Sequence, residues 1–497
     1  GSLKNICTMK PPLYFILLLR TFAALISNSW HVPDETWQST EIAHGLAFGS
    51  SHQTWEWRTG AQIRSYLHPA TLFTPLFILI KSLGIRDPYA YIISPRILQG
   101  FISFIGDIYL LKSLKLISLK ENERKTFMML YFGNVYMNFC ASRPLINALE
   151  TALSNGALYL YFLPNATSAL VSLLALGVCV RPTLALFWAP MALFYLYRLR
   201  ETCPTIMNRI GKALIALCVV FTSVFFFESA CYGNWTFPPL NFLVWNVFHG
   251  VGSFYGRNPS HWYLSNASLA LLNIAILPVI LFLFFFSSKW KIQRNIRSLL
   301  FSSLFCIAGF SLLEHKEHRF ILHILPVLLI FGALGLAKMK WKGVFLSIYI
   351  PLNALAFLYL SLFHQSGTTR LIYPYLSQEI SSSGEKVVML LMPCHSTPDQ
   401  SYLHRPDVTL RFLSCEPFDP FEEAEVFYED PHHWLSRNNE PLSDYIVIFD
   451  SLEETLRGYL REEGYTSRKK LFHSHFPEGR IGSYVLVYGR NESTKKM

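Results

Sequence analysis

Apolar runs of roughly 15–25 residues recur through the first three quarters of the chain, each broken by a short charged segment. A run of that length is what an α-helix needs to cross a bilayer, so the pattern restricts the chain to a polytopic α-helical membrane protein. The mean hydropathy of +0.29 agrees. So does a charged fraction of 15%, where roughly a quarter is usual. The net charge of +10 is no nucleic-acid signal, because much of the excess sits in short loops between spans. There the positive-inside rule places it on the cytosolic side.

Four basic loops then set the topology: 112–125, 198–212, 289–297 and 338–342. With all four cytosolic, spans are predicted at 11–27, 89–111, 126–141, 145–163, 167–180, 183–198, 207–229, 266–287, 298–313, 320–337 and 343–363. That is about eleven crossings, with the N-terminus in the cytosol and the C-terminus outside. Residues 69–84 are apolar but short and carry two prolines, and counting them as a span would reverse every later loop. They read as an interfacial or re-entrant helix. Spans 167–180 and 298–313 are short for a bilayer, which predicts tilting or a stop at a cavity. Gly1-Ser2 stands where an initiator Met is usual, so the native start is expected to differ. The first run has no small-residue cleavage site and reads as a retained span.

The stretch 28–68 is dense in groups that a bilayer rejects: Asp34, Glu35, Glu41, Glu56, Arg58, Arg64 and the histidines, beside Trp30, Trp37, Trp55 and Trp57. Carboxylates among indoles at a membrane surface point to chemistry at the water–lipid boundary. The topology gathers this stretch, Arg143, Arg181, the 230–265 loop and Glu314-His315-Lys316-Glu317-His318-Arg319 on the non-cytosolic side, a convergence that was no input to it. From about 364 the character changes. Apolar runs at 387–392, 445–449 and 483–488 and an amphipathic helix at 451–463 predict a C-terminal α/β domain over 364–497, set against a transmembrane domain over 1–363. That domain holds two cysteines, Cys394 and Cys415, a plausible disulfide if it faces an oxidising compartment. Of four sequons, Asn234 and Asn491 are the usable ones, since Asn165 falls in a cytosolic turn and Asn266 lies too close to a span.

Asp34 or Glu35 can serve as general base for a sugar hydroxyl, accepting the proton as oxygen attacks. The same Pro33-Asp34-Glu35 also suits a helix start, where acidic residues are favoured. Glu41-x-x-His44 has a spacing seen in di-metal sites, but no second copy exists, and His44 reads as a packing or substrate-contact residue. Six ionisable residues in the tight 314–319 turn are costly unless they face water or bind an anion. Lys316 and Arg319 suit a phosphate, and Arg64 is a second candidate. Arg143-Pro144 and Arg181-Pro182 read as span-end anchors.

His31-x-Pro33-Asp34-Glu35-x-Trp37-Gln38, Thr54-Trp55-Glu56-Trp57, Ile63-Arg64-Ser65-Tyr66 and His315-Lys316-Glu317-x-Arg319-Phe320 together resemble the endoplasmic-reticulum mannosyltransferases that use dolichyl-phosphate mannose, in which the last motif is a hallmark. Gly252–Gly256, His261-Trp262-Tyr263, 392–398 and 475–483 are similar to the branch of that family acting in glycosylphosphatidylinositol (GPI) assembly, so the resemblance covers essentially the whole chain. It implies a GT-C-type fold and a lumenal active site in the membrane of the endoplasmic reticulum, so the outer side on which the topology puts the C-terminal α/β domain is the lumen. It further implies α-1,2 transfer of the third mannose from dolichyl-phosphate mannose to the GPI precursor, with inversion. On that reading Asp34 is the base and Glu35 the runner-up. His315, Lys316 and Arg319, with Glu317, Arg64, His31, Trp37 and Glu56, serve donor and substrate. No cofactor and no metal site is expected, because cationic side chains can stabilise a phosphate leaving group. The expected partners are the lipid-linked donor, the GPI precursor and membrane lipids, with no nucleic acid. An N-glycan mannosyltransferase with the same donor is the near alternative, and a lipid or solute transporter the distant one.

Overall fold

The apolar runs of the first three quarters fold largely as helix. The computed structural model describes residues 13–49, 51–202, 206–288, 293–380, 384–417, 422–439 and 441–490. Among these, six helices are long and apolar enough to cross a membrane: Pro88–Leu116, Ile206–Tyr232, Tyr263–Phe285, Arg294–Leu312, His318–Leu336 and Lys342–Leu362. Leu13–Ile26, Thr167–Val180 and Pro69–Ser82 are shorter apolar helices. Two details differ from expectation. The crossing predicted at 126–141 breaks at Asn134, whose backbone is extended and whose side chain accepts from Met137 N at 2.9 Å. An asparagine that caps a new helix ends the old one. The crossing predicted from 298 begins earlier, at Arg294, so the basic turn before it continues into the helix.

The chain divides into two compact units. The first comprises residues 1–25, 59–68 and 96–358. Within it the helix His318–Leu336 is almost wholly buried, whereas Ile206–Tyr232 is mostly exposed. Close helix approach relies on small residues, since a Cβ added at Gly106 would lie 2.8 Å from Ala152 Cα. A buried polar set ties four helices. Arg20 Nε meets Asp107 at 2.8 Å, Tyr131 Oη donates to Asp107 at 2.6 Å, and Arg20 Nη1 donates to Asn138 at 2.8 Å. Charges at membrane depth survive only when paired in this way.

The second unit comprises residues 26–58, 69–95 and 359–497. It joins the C-terminal stretch to two N-terminal segments. Its five-stranded sheet runs β1 Lys386–Leu391, β2 Val408–Phe412, β3 Tyr445–Phe449, β4 Tyr465–Phe472 and β5 Tyr484–Arg490, in the order β2-β1-β3-β5-β4. β1 pairs parallel with β2 and β3, and β5 pairs antiparallel with β3 and β4. Met389, Leu391, Ile446 and Ile448 enter one apolar cluster, while Val388, Leu390, Val447 and Phe449 enter another. Strands covered on both faces need continuous apolar sequence, which is what the 387–392 run supplies. The two strands without a sequence signal, β2 and β4, are the sheet edges, and β4 exposes Ser-Arg-Lys-Lys.

Candidate active site

In the second unit the acidic stretch forms a helix that starts at Asp34 and continues to Phe48. Pro33 O accepts from Thr36 N and Trp37 N at 3.0 Å, so Asp34-Glu35 does open a helix, although Glu35 makes no side-chain cap. Residues Thr36–Thr40 form a π-turn, a wide turn found often at functional sites. Asp34 and His31 are half-exposed, whereas Glu35 is 1% exposed. Trp37 donates from Nε1 to Thr397 O at 3.0 Å and sets its edge against His395, ring centres 4.7 Å apart. Glu56 is buried on the 3-10 turn Trp55–Trp57 and accepts from Gln38 Nε2 at 3.2 Å. Burial pushes His395 down to about 4, with His52 acting in the same sense and Asp34 opposing, so the imidazole facing this helix is neutral at pH 7.

The 314–319 turn belongs to the first unit and is largely self-satisfied. Glu317 receives Arg319 Nε and Nη2, each at 2.7 Å, and lies 3.1 Å from His315 Nε2. Burial pushes the Glu317 carboxyl up, but Arg319 and His315 outweigh it and hold it below the usual carboxylate range. Arg319 Nη1 donates to Asn147 at 3.3 Å. Lys316 Nζ donates to Asn258 O at 2.9 Å and to Leu313 O. From Asn147 the network reaches Glu150 at 3.3 Å, and Glu150 meets Arg181 Nε at 3.3 Å. Phe320 lies beneath both guanidinium groups, 5.1 Å from Arg181 and 5.4 Å from Arg319.

Arg64 stands on a loop that helix Ile206–Tyr232 holds in place. Glu228, fully buried, accepts from Ser65 Oγ at 2.5 Å and Tyr66 N at 3.0 Å, and Tyr232 Oη donates to Arg64 O at 2.6 Å. Arg64 and Arg181 line one pocket, together with Ser65, Pro238, Pro239 and Phe242. Two arginines at one concavity suit a phosphate. Arg143 is instead fully buried against Phe139, its guanidinium 4.1 Å from the ring. Sequence reasoning passed over three of these side chains: Arg181 read as an anchor, and Glu150 and Glu228 were not singled out. The available signal was a lone carboxylate inside an apolar helix.

Cys394 and Cys415 are joined, with Cα atoms 5.9 Å apart. With His395 they are also the one group among the described residues with metal-binding geometry, but sulfurs shared in a disulfide offer no thiolate to an ion. His44 Nε2 lies 3.0 Å from His404 Nδ1, and Glu41 accepts hydrogen bonds from 399–401, so neither residue of Glu41-x-x-His44 points to a metal. Asn234 is exposed and accepts from Gln62 at 3.0 Å, whereas Asn491 lies outside the described residues.

Residues 12–404 match the family model described as the Alg9-like mannosyltransferase family. A zebrafish (Danio rerio) protein named GPI alpha-1,2-mannosyltransferase 3 is 34% identical, over 97% of this chain and 90% of its own length. The human (Homo sapiens) protein of that name is 32% identical over 96% and 86%. Mannosyltransferase APTG1 of Arabidopsis thaliana is 34% identical over 96% and 92%. In structure, ArnT from Cupriavidus metallidurans bound to undecaprenyl phosphate superposes with a TM-score of 0.62 at 10% identity, covering 97% of this chain and 98% of that one. That likeness establishes the GT-C fold. The chain is a multi-pass membrane glycosyltransferase and belongs to the Alg9-like mannosyltransferase family, alongside the GPI alpha-1,2-mannosyltransferase 3 proteins.

Proposed function

We propose that this enzyme transfers mannose from dolichyl-phosphate mannose to the GPI precursor, adding the third mannose in α-1,2 linkage with inversion. The near-full-length similarity to proteins named GPI alpha-1,2-mannosyltransferase 3 carries the acceptor assignment. In an inverting transfer the acceptor hydroxyl oxygen attacks C1 of the β-mannosyl phosphate from the opposite face. The bond from C1 to the phosphate oxygen breaks, dolichyl phosphate leaves with the electron pair, and a base takes the hydroxyl proton. Asp34 is assigned as that base. It is half-exposed at the start of its helix, while Glu35 is buried and is the weaker candidate. A base must reach the proton that it removes.

Arg64 and Arg181 are assigned to the donor phosphate, because they line one pocket and a guanidinium pairs with phosphate bidentately. His315, Lys316 and Arg319 are assigned to the scaffold of that charge. Through Asn147 and Glu150 the turn's Arg319 is linked to Arg181. The basic loops favour an N-terminus in the cytosol and a lumenal C-terminus.

The test supplies labelled dolichyl-phosphate mannose and offers two acceptors, a two-mannose GPI precursor and a lipid-linked N-glycan intermediate. Labelled three-mannose GPI sensitive to α-1,2-mannosidase is the expected product. Transfer to the N-glycan intermediate alone would replace this reading with the other branch of the family. No transfer to either would remove the donor assignment.

A further inference from the structure

We propose that residues 395–401 brace the base-bearing helix, with Glu41 as the positioning residue that fixes Asp34. This inference rests on Asp34 being the base. Glu41 is fully buried, and its carboxyl group is held by one short segment far away in sequence. It accepts from Asp399 N at 2.8 Å, Ser401 N at 3.0 Å and Ser401 Oγ at 2.5 Å. Two further residues of the helix meet the same segment. Thr40 Oγ1 lies 3.3 Å from Ser401 Oγ, and Trp37 bonds Thr397 O and packs on His395.

Burying a carboxylate costs several kcal/mol unless its acceptors are used, and an apolar side chain would serve for packing alone. What a carboxylate adds is orientation, because it holds two backbone N–H groups and a hydroxyl at fixed angles. The helix needs that. Between Asp34 and Glu41 lies the π-turn Thr36–Thr40, where regular i→i−4 bonding does not set the rotation of one end against the other. The residues that meet the brace, 37, 40 and 41, therefore set the phase at which Asp34 leaves the helix. A base displaced by about 1 Å loses on the order of 10² in rate. Burial, and then the neighbouring Asp399, push Glu41 above its ordinary range, while the bonds from Ser401 and Asp399 N favour its charged form.

The test uses full-length protein in detergent, with Asp34→Asn measured in parallel. In Glu41→Gln the amide turns a donor toward backbone donors, and kcat should fall by about 10–100-fold while KM for dolichyl-phosphate mannose stays within about 2-fold. Thr40→Cys with Ser401→Cys, placed in the Glu41→Gln background, replaces the lost bonds by a covalent tie at atoms already 3.3 Å apart. Oxidation of that pair should restore at least about 10-fold in kcat, and either cysteine alone should not. If Asp34→Asn is inactive and Glu41→Gln turns over normally, the positioning role is wrong. It is equally wrong if the cross-link forms without restoring kcat, since Glu41 would then be only structural. If Asp34→Asn is active, the base assignment fails, whatever Glu41 does.

Discussion

Glu317→Ala should destabilise the protein and should do so through Arg319. In the wild type Glu317 receives two 2.7 Å bonds from the Arg319 guanidinium, and the Arg319 side chain is only 4% exposed. Removing one member of a buried pair costs about 3–5 kcal/mol, because the remaining charge keeps its desolvation penalty. Glu317 is 25% exposed, and solvent relieves part of that penalty, so about 2–3 kcal/mol is expected. The assay is thermal unfolding in detergent, with Glu317→Gln and the double variant Glu317→Ala/Arg319→Met beside it. The double variant should regain much of the loss, since both charges leave together. The pH dependence follows from the sign of the shift. The folded carboxyl lies below its ordinary value, so its contribution is complete above about pH 4.3 and fades as pH falls toward the folded value. The gap between wild type and Glu317→Gln should therefore be full at pH 7 and narrow on acidification below about pH 4. Equal melting of Glu317→Ala and wild type at pH 7 would refute the reasoning.

Three further outcomes are expected. Arg64→Ala and Arg181→Ala should each raise KM for dolichyl-phosphate mannose more than KM for the acceptor, and steady-state kinetics with each substrate varied would expose an acceptor-only effect that contradicts the pocket assignment. Cys394→Ser should cost about 3 kcal/mol, the loop-closure value for the 21-residue separation, and non-reducing peptide mass spectrometry should find Cys394 linked to Cys415 in the wild type. Activity should persist in excess EDTA, because arginines supply the charge that a phosphate leaving group needs; loss restored by Mg²⁺ or Mn²⁺ would recast Asp34 as a metal ligand.

The six long apolar helices were legible because each is a long apolar run, and the central strands because β1 and β3 are covered on both faces. The edge strands β2 and β4 were not, since an edge strand needs little apolar surface and β4 is largely charged. Asn134 reads as one polar residue in an apolar run, and nothing local shows that it ends one helix and caps the next. At the site, the sequence marked Asp34, Arg64 and the 315–319 turn by their density of charge. It did not show that Arg181 joins Arg64 at a pocket, or that Glu41 bonds residues 358 and 360 positions away. Those are tertiary pairings, and local spacing carries no trace of them.

Single-turnover mannose transfer by Asp34→Asn and Glu35→Gln, side by side with wild type, tests the central claim most directly. The substrates are dolichyl-phosphate mannose and the two-mannose GPI precursor, with folding checked by melting. Asp34→Asn should lose on the order of 10²–10⁴ in rate with donor binding retained, and Glu35→Gln should lose far less. Near-normal turnover by a folded Asp34→Asn would contradict the account.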